Sequence, residues 1–366
     1  MGSRRMSTQI FPVRLSAAQQ DAAYFHSYNH VGIHEEMIKD RIRTEAYRDA
    51  IFAHQEAIKD KVVIDVGCGT GILSIFCAAA GARKVYAVDA SDIAVQAREV
   101  VKANGFSDVI TVIVGRVEEI QLEEKADVII SEWMGYMLLY ETMLPSVVCA
   151  RDRWLKPGGL MLPSFATLYM APITNPDRYG ESIDFWRNVY GFDMSAILPL
   201  AKQCAFEEPC VEVITAENVK RIDCSTVTLE ELETVTTTFS VPSIMRAHLH
   251  GFALWFNVSF GGDASSLPKS KAASNGTIPL VLSTAPEDPP THWAQVCKLH
   301  VKFHLAVLHF LEQTILYVYE PVELQQDNLI SGTFTMSQCK ENPRFLNVHI
   351  EYSCGDRHFV KESVMR

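Results

Sequence analysis

The stretch KVVIDVGCGTGILSIFCAAAG, residues 61–81, decides the fold of the first half of the chain. Val62, Val63 and Ile64 form a short apolar run of the kind a buried strand needs, and it ends in Asp65. Gly67, Gly69 and Gly71 follow, then an apolar helix pattern that Gly81 should stop. Glycines after a first strand let the backbone turn tightly and approach a ligand at the carboxyl edge of a sheet. The dinucleotide fingerprint G-x-G-x-x-G is not met, because Ile72 stands where its third glycine belongs. Asp89 closes the next strand 22 residues after Gly67, where a carboxylate can accept bonds from both hydroxyls of an adenosine ribose. Together these features favour S-adenosyl-L-methionine over NAD; glycines that serve only a tight turn are the weaker alternative.

Outward from this unit, KVYAVDAS (84–91), DIAVQAREVVKANG (92–105), VITVIVG (109–115) and ADVIISEW (126–133) continue a β-α-β rhythm, with Gly105 as a second helix stop. The rhythm predicts a mostly parallel, Rossmann-like sheet with helices on its faces. Beyond Pro163 the texture becomes strand-like: FATLYMAP (165–172), GFALWFNVSF (251–260), PLVLST (279–284), TILYVYEP (314–321), SGTFTMSQ (331–338) and NVHIEYS (347–353). This half reads as antiparallel β, a barrel or sandwich. A helical aromatic stretch at 178–197 and a Gly/Ser/Lys-rich loop at 261–276 interrupt it. The boundaries are a tail at 1–20, a cofactor domain at 21–163 and a β domain at 164–366.

The chain has 366 residues, 48% of them hydrophobic, enough for two domains with sizeable cores. Its 33 basic and 44 acidic residues leave a formal charge of -11, which argues against holding nucleic acid through its phosphates and suits a basic partner. Nine cysteines without a CxxC pair indicate neither a disulfide framework nor structural zinc. No secretory h-region, myristoylation pattern or apolar run of membrane length is present, so the expectation is a soluble intracellular protein without a membrane partner, and the N-x-[ST] matches at Asn257 and Asn275 carry little weight.

The second informative stretch is SEWMGYMLLYETM, 131–143. Glu132 and Glu141 are nine residues apart and converge only if the segment folds back, a reversal Gly135 offers. Two carboxylates brought together oppose each other's ionisation unless a cation sits between them, and a guanidinium matches them as a planar fork of donors. Each glutamate alone reads equally well as a surface residue or a helix cap. His26, His30 and His34 recur at i, i+4, i+8 as if to grip a metal; HEEMI is not HExxH, Ile38 standing in for the second histidine, so no metal is assigned.

YFHSYNHVGIHEEMIKDRIRT (24–44), VIDVGCGTGILS (63–74), the double-glutamate segment, HGFALWFNVSF (250–260) and STAPEDPPTHW (283–293) resemble the type I protein arginine methyltransferases, a likeness that covers about residue 21 onward. The resemblance implies an S-adenosylmethionine domain followed by a β-barrel, with 178–197 as an arm that docks on a partner subunit in a homodimer; Phe185, Trp186, Tyr190 and Phe192 would otherwise read equally well as core. It implies roles for individual residues. Arg43 would pair with the methionine carboxylate of the cofactor, Asp65 and Gly67 would line its amino-acid end, Gly69 and Gly71 would also bind the cofactor, Asp89 would hold the ribose and Glu118 the adenine. Tyr24, Phe25 and Tyr28 would belong to a helix closing over the cofactor, with His34 an active-site helix residue and Met37 and Met143 flanking the reacting centre. Glu132 and Glu141 would orient the substrate guanidinium beside Tyr28, Tyr136 and Trp293. His292, paired with Asp40, would relay the proton the product sheds, or serve as a structural hydrogen-bonding group. The implied substrates are arginines of histones and glycine/arginine-rich proteins, the products mono- and asymmetric dimethylarginine, the site of action nucleus or cytoplasm. A catalytically impaired regulatory isoform is the alternative.

One block departs from the family. Gln295 is followed by VCKLHVKFHLAVLHFLEQ, 18 residues at 296–313, before TILYVYEP resumes. Val296 has a codon beginning GT and Gln313 can end in AG, so an in-frame retained intron is the first reading and an evolved insertion the second. Eleven of the 18 residues are apolar, and the block must bulge from the barrel or break the pairing of the next strand, whose Ile315, Tyr317 and Tyr319 should face inward.

Overall fold

The computed structural model describes residues 17–201, 206–208, 212–213, 217–261, 280–293 and 313–365. Loop residues 262–276 and block residues 296–312 lie outside that set, as does the tail up to residue 16; residues 17–20 belong to the first helix rather than the tail.

Among the described residues four helices precede the first strand: α1 (Ala17–Ser27), α2 (Val31–Lys39), α3 (Arg41–Ala53) and α4 (Gln55–Ile58). Asp40 caps α3, its carboxylate accepting from the Arg43 amide at 3.0 Å. The parallel sheet then runs β1 (Val62–Val66), β2 (Lys84–Asp89), β3 (Ile110–Val114), β4 (Ala126–Ile130) and β5 (Leu155–Leu162), in spatial order β3-β2-β1-β4-β5. Strand order reverses between β1 and β4, the place where such sheets open a crevice for ligand. Every residue of β1 is buried, as a central strand covered on both faces requires. α5 (Ile72–Ala79), α6 (Ile93–Ala103) and α7 (Leu144–Trp154) supply the cover. Gly81 and Gly105 have φ of 97° and 74° just past α5 and α6, the left-handed stops expected of them.

The second half begins with β6 (Phe165–Thr174), α8 (Pro176–Ser182), α9 (Leu198–Ala201), β7 (Phe206–Glu208), β8 (Glu212–Val213), β9 (Glu217–Asp223) and α10 (Leu229–Glu233). It continues through β10 (Thr234–Pro242), β11 (Ala247–Phe260), β12 (Leu280–Ser283), β13 (Gln313–Leu324), β14 (Leu329–Gln338), β15 (Leu346–Cys354) and β16 (Arg357–Met365). These strands pair antiparallel in two sheets, β10-β14-β15-β16 and β7-β13-β11-β6-β8, with β9 on β6 and β12 on β11. Phe252 joins the sheets, its ring 5.7 Å from Phe239 and 5.3 Å from Tyr352.

Two expectations change here. β13 does not alternate: Ile315, Leu316, Tyr317 and Val318 are all buried, whereas Tyr319 is exposed. Ile315 and Tyr317 pack with Tyr179 and Ile183 of the α8 region, which covers the outer face of this strand, so both faces are dry. The strand that follows the 296–313 block keeps its pairing, Thr314 to Tyr317 lying opposite Leu254 to Gly251 and Gln313 opposite Glu208. In the aromatic stretch, Phe185, Tyr190 and Phe192 are exposed by 47%, 96% and 74%, which excludes core for these three, while Trp186 packs against the α8 cluster.

Candidate active site

At the reversal of strand order the chain leaves one cavity of about 260 Å³. Its floor is the glycine run. Gly67 and Gly69 have φ of 74° and 53°, and a Cβ would lie 2.2 Å from Met143 Cε at the first and 3.2 Å from His34 Nδ1 at the second. Only glycine admits a ligand to the backbone there. Asp89 stands at the end of β2 and already shapes the loop: its carboxylate accepts from the Gly69 amide at 2.8 Å and from the Ser91 amide and hydroxyl at 2.8 and 2.5 Å. Glu118, further along the same wall, accepts from Ser146 Oγ at 2.6 Å. This wall, with Tyr24, Phe25, Tyr28, His34 and Met37 over it, has the shape and the acceptors that an adenosyl cofactor needs.

The opposite wall is the double-glutamate loop, and it does fold back. Met143 and Thr142 bond to the Trp133 carbonyl, and Tyr140 N–H to the Tyr136 carbonyl, so both glutamates line the same cavity. Gly135 does not turn the chain. The left-handed residues are Met137 and Leu138, with φ of 49° and 66°, while a Cβ at Gly135 would stand 1.6 Å from the Tyr140 carbonyl oxygen. Its missing side chain lets the returning strand pass. Glu141 is itself held at φ 54°, and its amide donates to the Arg344 carbonyl at 2.9 Å.

A cation already attends Glu132. Arg43 Nε and Nη2 donate to Glu132 Oε2 at 3.1 and 3.0 Å, both side chains being buried, and Met134 N donates to Oε1 at 3.2 Å. Arg43 thus serves the glutamate wall directly, where the resemblance gives it only the cofactor carboxylate. Burial raises the carboxyl of Glu141, against the Arg344 charge and a hydrogen bond from Tyr140, which lower it.

His292 and Trp293 arrive from the far end of the sequence. His292 Nδ1 lies 2.9 Å from Asp40 Oδ2, which also accepts the His292 amide at 2.8 Å. Burial pushes the Asp40 carboxyl up, but these bonds and the one from Arg43 N outweigh it and hold it below its ordinary value. A carboxylate at Asp40 favours the histidine tautomer with its proton on Nδ1, which leaves Nε2 as the acceptor. Trp293 Nε1 donates to the Met134 carbonyl at 3.3 Å and its ring meets Phe256 edge-on, tying the histidine to both halves of the molecule.

Residues 164–357 match the arginine methyltransferase oligomerization subdomain, and 50–162 match a ribosomal protein L11 methyltransferase model. The chain is 60% identical to "Probable protein arginine N-methyltransferase 6" of Arabidopsis thaliana, over 94% of this chain and 82% of that protein. The chain belongs to the protein arginine N-methyltransferases. Among solved structures, the Trypanosoma brucei PRMT1 enzyme–prozyme heterotetrameric complex with AdoHcy superposes with a TM-score of 0.80 at 38% identity, covering 93% of this chain and all of that one. Arabidopsis thaliana protein arginine methyltransferase 10, described as a uniquely open conformation, gives 0.75 at 34% identity over 94% of this chain and all of that one.

Within this methyltransferase most of the named residues meet in one cavity, but Asp65, Gly71 and Asp40 do not line it. Asp65 lies behind the glycine loop, fully buried, with Oδ2 accepting from Ser74 Oγ at 2.6 Å and Oδ1 without a partner. Burial raises its carboxyl to about 7, opposed by the Ser74 bond and reinforced by the Asp89 charge. Gly71 faces Ala97 and Val101 of α6, and Asp40 bonds to His292. Tyr28 falls in the turn after α1, and the same break separates the three histidines: His26 ends α1, His30 precedes α2 and His34 turns inward to the Tyr28 carbonyl at 2.7 Å. Among the described residues no group of three metal-binding side chains occurs.

Sequence reasoning missed Asp21, Arg116 and Arg344. Asp21 Oδ2 accepts from Arg116 Nη1 at 2.6 Å and Oδ1 from Arg344 Nε and Nη2 at 3.1 and 3.0 Å. The three lie 95 to 323 residues apart, so spacing could not link them; the one local sign was NPRF, a turn entering a strand.

Proposed function

We propose that this protein transfers the methyl group of S-adenosyl-L-methionine to guanidino nitrogens of arginine in basic proteins, histones and glycine/arginine-rich proteins among them. The products are monomethylarginine and then asymmetric dimethylarginine, the type I outcome. The observation that carries the reading is the meeting of Glu132 and Glu141 in one cavity with Asp89 and the glycine loop. When bound, the cofactor supplies an electrophilic methyl on a sulfonium. A guanidinium is a poor nucleophile because its nitrogen lone pairs are delocalised over the cation. The two carboxylates bind it, orient one nitrogen for in-line attack and draw its charge toward the other two. Glu132 is held for this by Arg43, and Glu141 by the Arg344 carbonyl. Nε2 of His292, oriented by Asp40, receives the proton the methylated nitrogen sheds. Asymmetric product rests on Met37, whose place the symmetric class gives to phenylalanine. The exposed Phe185, Tyr190 and Phe192 suit a homodimer, and the acidic chain suits basic substrates in nucleus or cytoplasm.

Mass spectrometry of an arginine-rich peptide incubated with labelled cofactor tests this, and symmetric dimethylarginine or no product would overturn it. A parallel sample lacking residues 296–313 tests the alternative of an impaired isoform, which the placement of that block just after His292 and Trp293 supports. Several-fold higher activity is expected of the shortened chain, and equal activity with an equal melting temperature would make the block a tolerated loop.

A further inference from the structure

Helix α1 lies over the cofactor wall and the glutamate loop forms the opposite wall. In this chain a single residue of the β domain touches both. Arg344 sits in the turn between β14 and β15, where Asn342 fixes it: the side-chain oxygen accepts from Arg344 N at 3.0 Å and the backbone carbonyl from Phe345 N at 3.0 Å. Its guanidinium donates through Nε and Nη2 to Asp21 Oδ1 and lies 3.6 Å from the centre of the Tyr24 ring, both residues being on α1. Its carbonyl takes the amide of Glu141, the residue held in the left-handed region, and Phe345 stacks on Tyr140 with rings 6.3 Å apart. Tyr24 Oη closes the circuit on the Glu141 carbonyl at 3.4 Å.

We infer that Arg344 is a positioning residue that couples closure of α1 over the cofactor to the shape of the guanidinium clamp. The clamp function rests on the reading above; the coupling does not. A backbone conformation such as that of Glu141 costs free energy and persists only where its surroundings impose it. The imposing group is the 342–345 turn, and the side chain of that turn is engaged by α1 through an ion pair and a ring. Ordering α1 on the cofactor therefore orders Glu141, and by reciprocity an arginine in the clamp tightens cofactor binding.

Hydrogen exchange and peptide binding test this with the full chain and S-adenosylhomocysteine as probe. In the wild-type protein the probe should slow exchange in both 17–27 and 133–143, and should tighten an arginine peptide by about fivefold or more. Arg344→Ala should keep protection of 17–27 but lose that of 133–143, with the tightening reduced to under about twofold. Arg344→Lys, which keeps the charge without the fork, should restore part of it. Asp21→Asn, on a part-exposed side chain, should reproduce the loss and carries the test if Arg344→Ala does not fold. A residue that merely stabilised the turn would weaken both ligands and leave their mutual tightening intact. That result, or wild-type protein in which the probe protects 17–27 alone, would overturn the inference. Failure of the wild-type chain to bind any arginine peptide would strike the function reading instead, and the exchange data would still decide the coupling.

Discussion

Gly67, Gly69 and Asp89 reach the cavity from one contiguous β-α-β unit, whereas Glu132, Glu141 and His292 reach it from segments scattered from the end of β4 to the stretch after β12, and Glu141 is held by Arg344 of the β14–β15 turn. The first wall is made by local rules: a strand, glycines with positive φ, a helix, and an acidic strand end. The second is made by contacts across the junction of the two halves, His292 to Asp40 and Glu141 to Arg344. A wall of the first kind binds with what its own segment provides. A wall of the second kind works only when the whole molecule is assembled, so chemistry should be separable from cofactor binding by substitution.

The sharpest separation should come from Glu141→Gln, which preserves shape and removes the charge proposed to orient the guanidinium. Methyl transfer should fall by roughly 10²–10³-fold, the scale for losing one group that stabilises the transition state. The affinity for S-adenosylhomocysteine, read by calorimetry, should stay within about twofold. Glu132 is a poorer probe because removing its charge strands the buried Arg43. Equal losses in rate and cofactor affinity for Glu141→Gln would erase the distinction between the walls.

The converse is Asp89→Ala. Its carboxylate, read above as the ribose acceptor, also ties down the Gly69 and Ser91 amides, so the variant should lose a ligand contact and a loop support together. Hydrogen bonds to a charged group are worth about 1.5–3 kcal/mol each, so cofactor affinity should drop by at least about tenfold. Turnover at saturating cofactor should drop far less. A variant with normal affinity and poor turnover would place Asp89 on the wrong wall.

The same contrast sets what could be read from sequence. The parallel sheet, both helix-stopping glycines and the glycine loop follow from residues a few positions apart, and the structure has them where the pattern put them. The fold-back of 131–143 was legible as a need, since two glutamates nine residues apart must converge, but its means was not. Gly135 clears a path for Tyr140, and Met137 and Leu138 take the positive φ, a burden no propensity assigns to them. The two dry faces of β13 were hidden because α8 and α9 cover it from sequence more than a hundred residues away. The Asp21 network was hidden for the same reason: an arginine announces a charge, not its partner.

Asp65 sharpens the comparison from behind the cofactor wall, with the smallest expected effect. It belongs to the same contiguous unit as Gly67, yet it does not line the cavity, with one carboxylate oxygen bonded to Ser74 and the other unpartnered. Burial lifts its carboxyl to about 7 in the folded protein, against about 3.9 in an unfolded chain. The unfolded state therefore sheds this proton first. Folding stability should fall as pH rises through that window and level off above it, the reverse of the usual salt-bridged aspartate. In Asp65→Asn the group no longer titrates, so the difference in melting temperature, variant minus wild type, should grow between pH 5 and pH 8 by about 2–4 °C. Using the difference between two pH values cancels the fixed cost of placing an amide where a carboxyl stood. S-adenosylhomocysteine affinity should change little beside the loss in Asp89→Ala, because no atom of Asp65 lines the cavity. Parallel melting profiles would show that Asp65 is ionised throughout this range, and a large loss of affinity would put it back among the groups that hold the cofactor.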